Sequence, residues 1–373
     1  MNQGPLKTYL TDFAHELRWV EAHQLREEAD SAVCILDVRE RHEYDAVRIE
    51  SAINVPRGRI ELDVETVIEA QAAPIVLVCK SDLRARLAYK TLSTMGYTDL
   101  RVLKGGMDHW LSIGGATSGG AGLAQADFER YARHLSLPGF DSTHQKRLKT
   151  STVLIVGCGG LGSPVIAYLA AAGLGTLRLV DFDRVDVSNL QRQMIHQTAD
   201  VGRAKVESAR DFIHGLNPNV AVELHQIRVD ESSVAELMSG VDVVVDGSDT
   251  LTTRYVLNAA CVERGIPYVY GAVFRDEGEF AFFGTGTEAA CYRCLHPNPM
   301  PQSLTPSCAQ TGVLGVVPGM VGMLQANATL NYVLGKMSGH TTQLTRLSFG
   351  DFRTNRFRIE RQTNCPVCSK TVR

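Results

Sequence analysis

Along the first third of the chain, short apolar runs alternate with longer polar, amphipathic stretches. Val33–Val38, Ile75–Val78 and Arg101–Leu103 read as strands, because brief runs of consecutive apolar residues suit a covered sheet. Ile60–Gln71 and Leu83–Met95 repeat their apolar positions at helical spacing. Strand and helix in alternation predict a small α/β domain built on a parallel sheet. Ser112–Gly122, SIGGATSGGAG, then breaks the pattern. Glycine and serine at that density predict a flexible connection. We expect a first domain over residues 15–112, a Gly-rich linker over 113–124 and a second domain over 125–373. About eleven flexible residues have an r.m.s. reach on the order of 20 Å.

Beyond the linker the alternation continues on a larger scale. Thr152–Val156, Thr176–Asp181, Val220–Ile227, Val241–Asp246 and Pro267–Tyr270 read as strands separated by helical stretches, the pattern of a doubly wound sheet. Gly312–Met337 is apolar and rich in small residues, but Pro318, Gln325, Asn327 and Asn331 interrupt it. A helix buried against the sheet fits that segment better than a membrane span.

Composition narrows the picture further. A chain of 373 residues is too long for one ordinary core, and 44% hydrophobic with 21% charged residues is usual for a soluble globular protein. A net charge of −3 gives no reason to expect nucleic acid or an anionic membrane as partner. Asp12, His15, Glu16 and Arg18 break the N-terminal stretch, so no secretion signal is expected. Nine cysteines with two CxxC pairs favour thiolate metal binding in a reducing compartment, the cytoplasm, over a disulfide framework.

Those pairs are Cys291-x-x-Cys294 and Cys365-x-x-Cys368. Four thiolates and no histidine leave no open coordination position, so a structural Zn²⁺ is expected. It would pin the end of the chain onto the loop after Gly284. Cys34, Cys158 and Cys261 read as packing residues. Cys308, in SCAQTGV, lacks a partner at metal spacing and reads either as a nucleophile or as a small buried hydrophobe.

The nucleotide chemistry begins where Val153–Val156 runs into Gly157-Cys-Gly159-Gly160-Leu-Gly162 and a helical pattern. Glycines let backbone approach phosphate, and a helix N-terminus meets its charge with N–H groups. The next strand ends at Asp181, where a carboxylate could hold ribose hydroxyls. Alone, these features would suit an NAD-dependent oxidoreductase, which remains the alternative. Asn189, Arg192 and Lys205 follow, however, and Asp249 stands at another strand end on the same crevice. An amide, two cations and a carboxylate suit ATP with Mg²⁺, where the cations neutralise a departing pyrophosphate.

GCGGLGSP, VDFDRVDVSNLQRQ, VGRAKVESA, CYRCLHP and CPVC together resemble the ubiquitin-activating-like adenylyltransferases, those of molybdopterin synthase and of the thiamine sulfur carrier above all. The resemblance covers about residues 125–373. It implies a homodimer that adenylylates the C-terminal glycine of a small ubiquitin-fold sulfur carrier ending in Gly-Gly. On that pattern Asp181 binds ribose, Asn189, Arg192 and Lys205 the phosphates, and Asp249 the Mg²⁺, while Arg133 reaches the γ-phosphate from the neighbouring subunit. Cys308 is then a residue that could take the acyl group or join an acyl disulfide. One departure is Thr250, where the family commonly has asparagine, while Arg254 and Asn258 downstream fit the family pattern.

A second resemblance lies in the first domain. Val78 leads into Cys79-Lys-Ser-Asp-Leu-Arg84, with LDVRE at Leu36, AINVP at Ala52 and LKGG at Leu103. These segments resemble a single-domain rhodanese. Cys79 sits where loop amides and a helix N-terminus favour a thiolate or persulfide, and Arg84 adds positive charge. Lys80 and Asp82 depart from the usual loop, and Asp82 brings negative charge beside the sulfur. The implied role of Cys79 is to carry sulfane sulfur, received from a cysteine desulfurase or another donor. The expected fold is α/β: a rhodanese-like parallel-sheet domain, then a Rossmann-like doubly wound adenylation domain with a four-cysteine zinc site.

Overall fold

The computed structural model of the chain describes residues 9–10, 13–28, 33–119, 123–137, 139–299, 312–337 and 342–370. The chain divides into two compact units, Met1–Lys146 and Arg147–Arg373.

In the first unit the strands are β1 (Trp19–Val20), β2 (Cys34–Asp37), β3 (Arg48–Ile49), β4 (Ile53–Asn54), β5 (Ile75–Val78), β6 (Leu100–Leu103) and β7 (Thr117–Ser118). Five form one parallel sheet in the order β1-β6-β5-β2-β4. Every residue of β5 is buried. Because side chains alternate along a strand, Ile75 and Leu77 enter one core with Ile60, Val64 and Leu92, while Val76 and Val78 enter another with Leu25, Leu103 and Trp110. A continuous apolar run is therefore what this central strand requires. At the end of β2, Arg39 and Asp37 form a buried ion pair at 2.5 Å, and Arg39 also donates to Val47 O.

The glycine-rich segment behaves differently from a free tether. Ser112 ends the helix Gly106–Ser112, and Thr117–Ser118 pairs antiparallel with Arg48–Ile49. Trp110 Nε1 donates to Ala116 O at 3.1 Å. Through Ser118 this segment is thus fastened to the first unit by backbone pairing that glycine content alone does not reveal.

The second unit adds β8 (Thr152–Val156), β9 (Thr176–Val180), β10 (Ala221–His225), β11 (Val243–Asp246), β12 (Tyr268–Phe274), β13 (Glu277–Phe283), β14 (Thr342–Ser348) and β15 (Arg353–Ile359). They make one eight-stranded sheet in the order β10-β9-β8-β11-β12-β13-β14-β15. The strands from β10 to β12 run parallel, and β13 to β15 extend the sheet antiparallel. Strand order reverses between β8 and β11, so a crevice opens at their carboxyl ends. The antiparallel extension was not foreseen, because β15, RTNRFRI, is exposed at all but its last position and carries no apolar pattern. Helix Val316–Val333 confirms a buried helix within the 312–337 stretch. Its polar interruption has a use: Gln325 is fully buried and donates to Asp246 O at 2.7 Å and Val269 O at 3.2 Å, at the ends of neighbouring strands. No helix among the described residues is long and apolar enough to cross a membrane.

Candidate functional site

A cavity of about 900 Å³ occupies the crevice at the ends of β8 and β11. Gly157, Gly159 and Gly160 line it, together with Asp181, Asn189, Arg192, Lys205 and Asp249. Gly162 opens the helix Gly162–Ala172 behind the loop, where an added Cβ would lie 1.9 Å from Gly157 O. No larger residue fits that turn. The sequence-predicted nucleotide residues of this unit therefore share one cavity or its immediate support. Arg133, by contrast, belongs to the helix Ala132–Leu135 in the first unit.

Each polar group is held in a particular way. Lys205 is the first residue of the helix Lys205–Leu216; it is buried and its Nζ lies 3.1 Å from Asp183 Oδ2. Arg192 donates to Ser188 O at 3.0 Å, and Asn189 Oδ1 accepts the Asp186 N–H. Asp249 is exposed on the cavity wall. Both oxygens of Asp181 already accept backbone donors at 2.8 Å, Cys158 N–H on one and Asp183 N–H on the other. Asp181 thus fastens the glycine loop to the end of β9, and only its remaining lone pairs are left for a ligand. The spacing of the motif made it a ligand candidate without revealing this support role.

Three further lining residues near Asp181 escaped the sequence reading. Asp183, Phe182 and Arg228 border the cavity, with the Arg228 guanidinium 3.4 Å from the Phe182 ring centroid. Near β11, Arg254 donates to Ser248 O and stands 5.3 Å from the Tyr270 ring centroid. Burial works against its charge, but Tyr270 and Asp246 outweigh it and raise its pKa. Burial likewise raises the pKa of Asp246, whose carboxylate accepts from Ser248 N–H and the Tyr268 hydroxyl. Burial pushes His296 down. Arg254, which fits the family pattern in the sequence, thus lines the same cavity as the glycine loop.

Cys291, Cys294, Cys365 and Cys368 converge, with all four sulfurs within 4.8 Å of one another. Three of the S···S distances are 4.0, 3.7 and 3.5 Å. Zn–S bonds of about 2.3 Å at tetrahedral angles require about 3.8 Å between sulfurs. The cluster is buried, and Gln362 N–H donates to Cys294 Sγ at 3.4 Å. The donor set fits a thiolate-loving divalent metal.

In the first unit Cys79 closes β5 at the mouth of the loop before the helix Leu83–Thr94. It is buried, and its sulfur accepts Ala85 N–H at 3.3 Å. Burial is the largest influence and raises the thiol's pKa, outweighing Ala85 N–H and Arg84. The expected bias toward thiolate is therefore reversed for the unloaded cysteine. Arg84 gives little help because Glu43 takes its guanidinium in two bonds, at 2.5 and 2.8 Å. The loop itself is firmly set: Met107 N–H and Asp108 N–H donate to Cys79 O and Lys80 O. Gly106 makes this approach feasible, since a Cβ there would lie 2.1 Å from Ser81 O. Cys158 and Cys261 are buried packing residues and Cys34 is half-buried against the core. Cys308 lies outside the described residues.

Comparison with known proteins agrees with both halves. A ThiF family model matches residues 131–367, and a rhodanese-like domain model matches residues 19–113. MoeZ of Mycobacterium tuberculosis, named a probable adenylyltransferase/sulfurtransferase, is 45% identical over 219 residues, covering 57% of this chain and 55% of its own. The SAMP-activating enzyme E1 of Haloferax volcanii is 43% identical over 248 residues, 66% of this chain and 91% of its own. A sulfur carrier protein adenylyltransferase of Thermus thermophilus is 41% identical over 249 residues, 65% and 91%. The chain spans about half the length of relatives such as MoeZ. Among solved structures, E. coli MccB with ATP is 20% identical with a TM-score of 0.58, over 71% of this chain and 86% of that one, a likeness of fold.

Proposed function

This chain belongs to the ThiF family, and from that premise we propose that it activates the C-terminal glycine of a small ubiquitin-fold sulfur carrier ending in Gly-Gly and then sulfurates it. The small subunit of molybdopterin synthase is the carrier we favour, with the thiamine carrier as the alternative. One observation carries the proposal: a glycine loop, two cations, an amide and a carboxylate line a single cavity.

A carrier carboxylate oxygen attacks the α-phosphorus of ATP, a new O–P bond forms, and the bond to the bridging oxygen breaks to release pyrophosphate. The attacking group is already ionised, so the chain supplies position and charge rather than a general base. Arg192 and Lys205 neutralise the leaving phosphates, Asn189 and the loop amides orient them, and Arg133 of the partner subunit in a homodimer adds a further cation. Asp249 would hold Mg²⁺, which when bound supplies charge neutralisation at the phosphates. The four cysteines would hold Zn²⁺ as a structural brace. A Cys79 persulfide then attacks the acyl carbon, AMP leaves, and an acyl disulfide forms. Cys308, or another thiol, cleaves that disulfide by attacking the Cys79 sulfur, releasing the thiocarboxylate; a thiol reductant reopens the resulting disulfide. The sulfane sulfur would come from a cysteine desulfurase or a comparable donor, in the cytoplasm.

ATP–pyrophosphate exchange that depends on added carrier tests the first half. Absence of exchange with every Gly-Gly carrier offered would refute the reading, and normal exchange in Asp249→Ala would remove that residue as the metal carboxylate. Labelled sulfane sulfur should load wild type and not Cys79→Ala. Label retained in the variant would move the donor role to another thiol.

A further inference from the structure

We propose that His196 is a positioning residue for the nucleotide phosphates, fixing one peptide of the glycine loop and tying that loop to the helix that begins with Lys205. The inference rests on the nucleotide reading above. His196 is buried, with Nε2 2.9 Å from Cys158 O and Nδ1 2.8 Å from Ser208 Oγ. Ser208 lies three residues after Lys205 on the helix Lys205–Leu216, and its Oγ is 2.9 Å from Asp200 Oδ2. Asp200 is in turn paired with Arg203 at 2.5 Å.

Cys158 O can only accept, so Nε2 carries a proton whatever the charge of the ring. With a neutral ring, Ser208 turns its single proton from Asp200 to Nδ1. With a protonated ring, Nδ1–H donates to Ser208, which turns its own proton to Asp200. The bond to Cys158 O survives both states. Burial lowers the His196 pKa, with Lys205 acting in the same direction and Cys158 O, Asp200 and Asp181 opposing, so the neutral form prevails near pH 7.

The consequence follows from peptide geometry. The Cys158 carbonyl and the Gly159 N–H belong to one planar trans unit and point in opposite directions. Holding the carbonyl on buried His196 aims the Gly159 N–H away from the core, toward the cavity that Gly159 lines. Among the described residues that N–H has no backbone acceptor. Asp181 holds the other side of Cys158, at its N–H. The loop donor and Lys205 Nζ are therefore kept in register by one side chain.

The test is calorimetric titration of Mg·ATP into the full-length chain, with exchange kinetics alongside. His196→Ala should weaken ATP binding about ten- to a hundredfold, the range for one hydrogen bond to a charged group. The ATP KM should rise equally and the carrier KM should stay unchanged. His196→Gln places an amide N–H near the Nε2 position and should restore most of the affinity, whereas His196→Asn, matching Nδ1, should not. If His196→Ala fails to fold, the Gln and Asn variants decide. Equal affinities in those two, or wild-type ATP binding in folded His196→Ala, would overturn the proposal. No carrier-dependent exchange in wild type would instead overturn the function on which it rests.

Discussion

Substituting Asp181 distinguishes a support role from a ligand role. Its carboxylate is buried and accepts two backbone N–H groups, from Cys158 and Asp183, each at 2.8 Å. In Asp181→Ala both donors lose their acceptor inside the fold. A buried unsatisfied donor costs about 1–3 kcal/mol, so the pair costs roughly 4 kcal/mol. For a unit of this size each kcal/mol moves Tm by about 2–4 °C, which gives a fall of about 8–16 °C without any nucleotide. Asp181→Asn keeps one acceptor oxygen and turns an amide donor toward the other N–H, so it should lose at least half as much. Differential scanning calorimetry is the assay, because Trp19 and Trp110 both lie in the first unit and fluorescence would miss the second. The transition that rises with added ATP identifies the nucleotide-binding unit. An unchanged Tm in Asp181→Ala, with only ATP affinity reduced, would refute the support role and leave Asp181 as a ribose ligand alone.

Three further outcomes are expected. Cys365→Ser should abolish binding of one equivalent of zinc per chain, measured by elemental mass spectrometry, and should expose the C-terminal residues to protease; zinc retained at wild-type stoichiometry would rule out the cluster as its site. Glu43→Gln removes the carboxylate that holds Arg84. The released positive charge should lower the raised Cys79 pKa, so the midpoint of its alkylation rate with iodoacetamide moves to lower pH by about one unit or less; no movement would show that Arg84 does not act on the sulfur. Tyr268→Phe removes a donor from buried Asp246 and should raise an already raised pKa further. Because a carboxyl with a raised folded-state pKa loses stability as pH rises above its unfolded value near 4, the deficit should be larger at pH 7 than at pH 4.5 in denaturant titrations.

The elements that could be read from sequence are those in which residue type and position carry the same message. β5 and β8 are central strands and therefore continuous apolar runs; the glycine loop is glycine because Gly162 has no room for a Cβ. The CxxC pairs needed only proximity in space, which the turn geometry of each pair half supplies. What could not be read is which partner a polar side chain finds. Arg84 looked like free charge beside Cys79 until the fold brought Glu43 to it from 41 residues away. The spacing of Asp181 spoke only of a ligand, whereas the fold also gives each of its oxygens a backbone donor, and Ser112–Ser118 looked like a tether until β3 paired with its end. In each case a local pattern fixed a residue's chemistry while a contact distant in sequence decided its use. The same logic makes His196 the informative residue of this site. It is neither a motif glycine nor a cation of the cavity wall, yet its two ring nitrogens reach both the loop peptide and the lysine-bearing helix. If nucleotide affinity follows its Nε2 donor, phosphate recognition here depends on how the loop amide is aimed as much as on the cations around it.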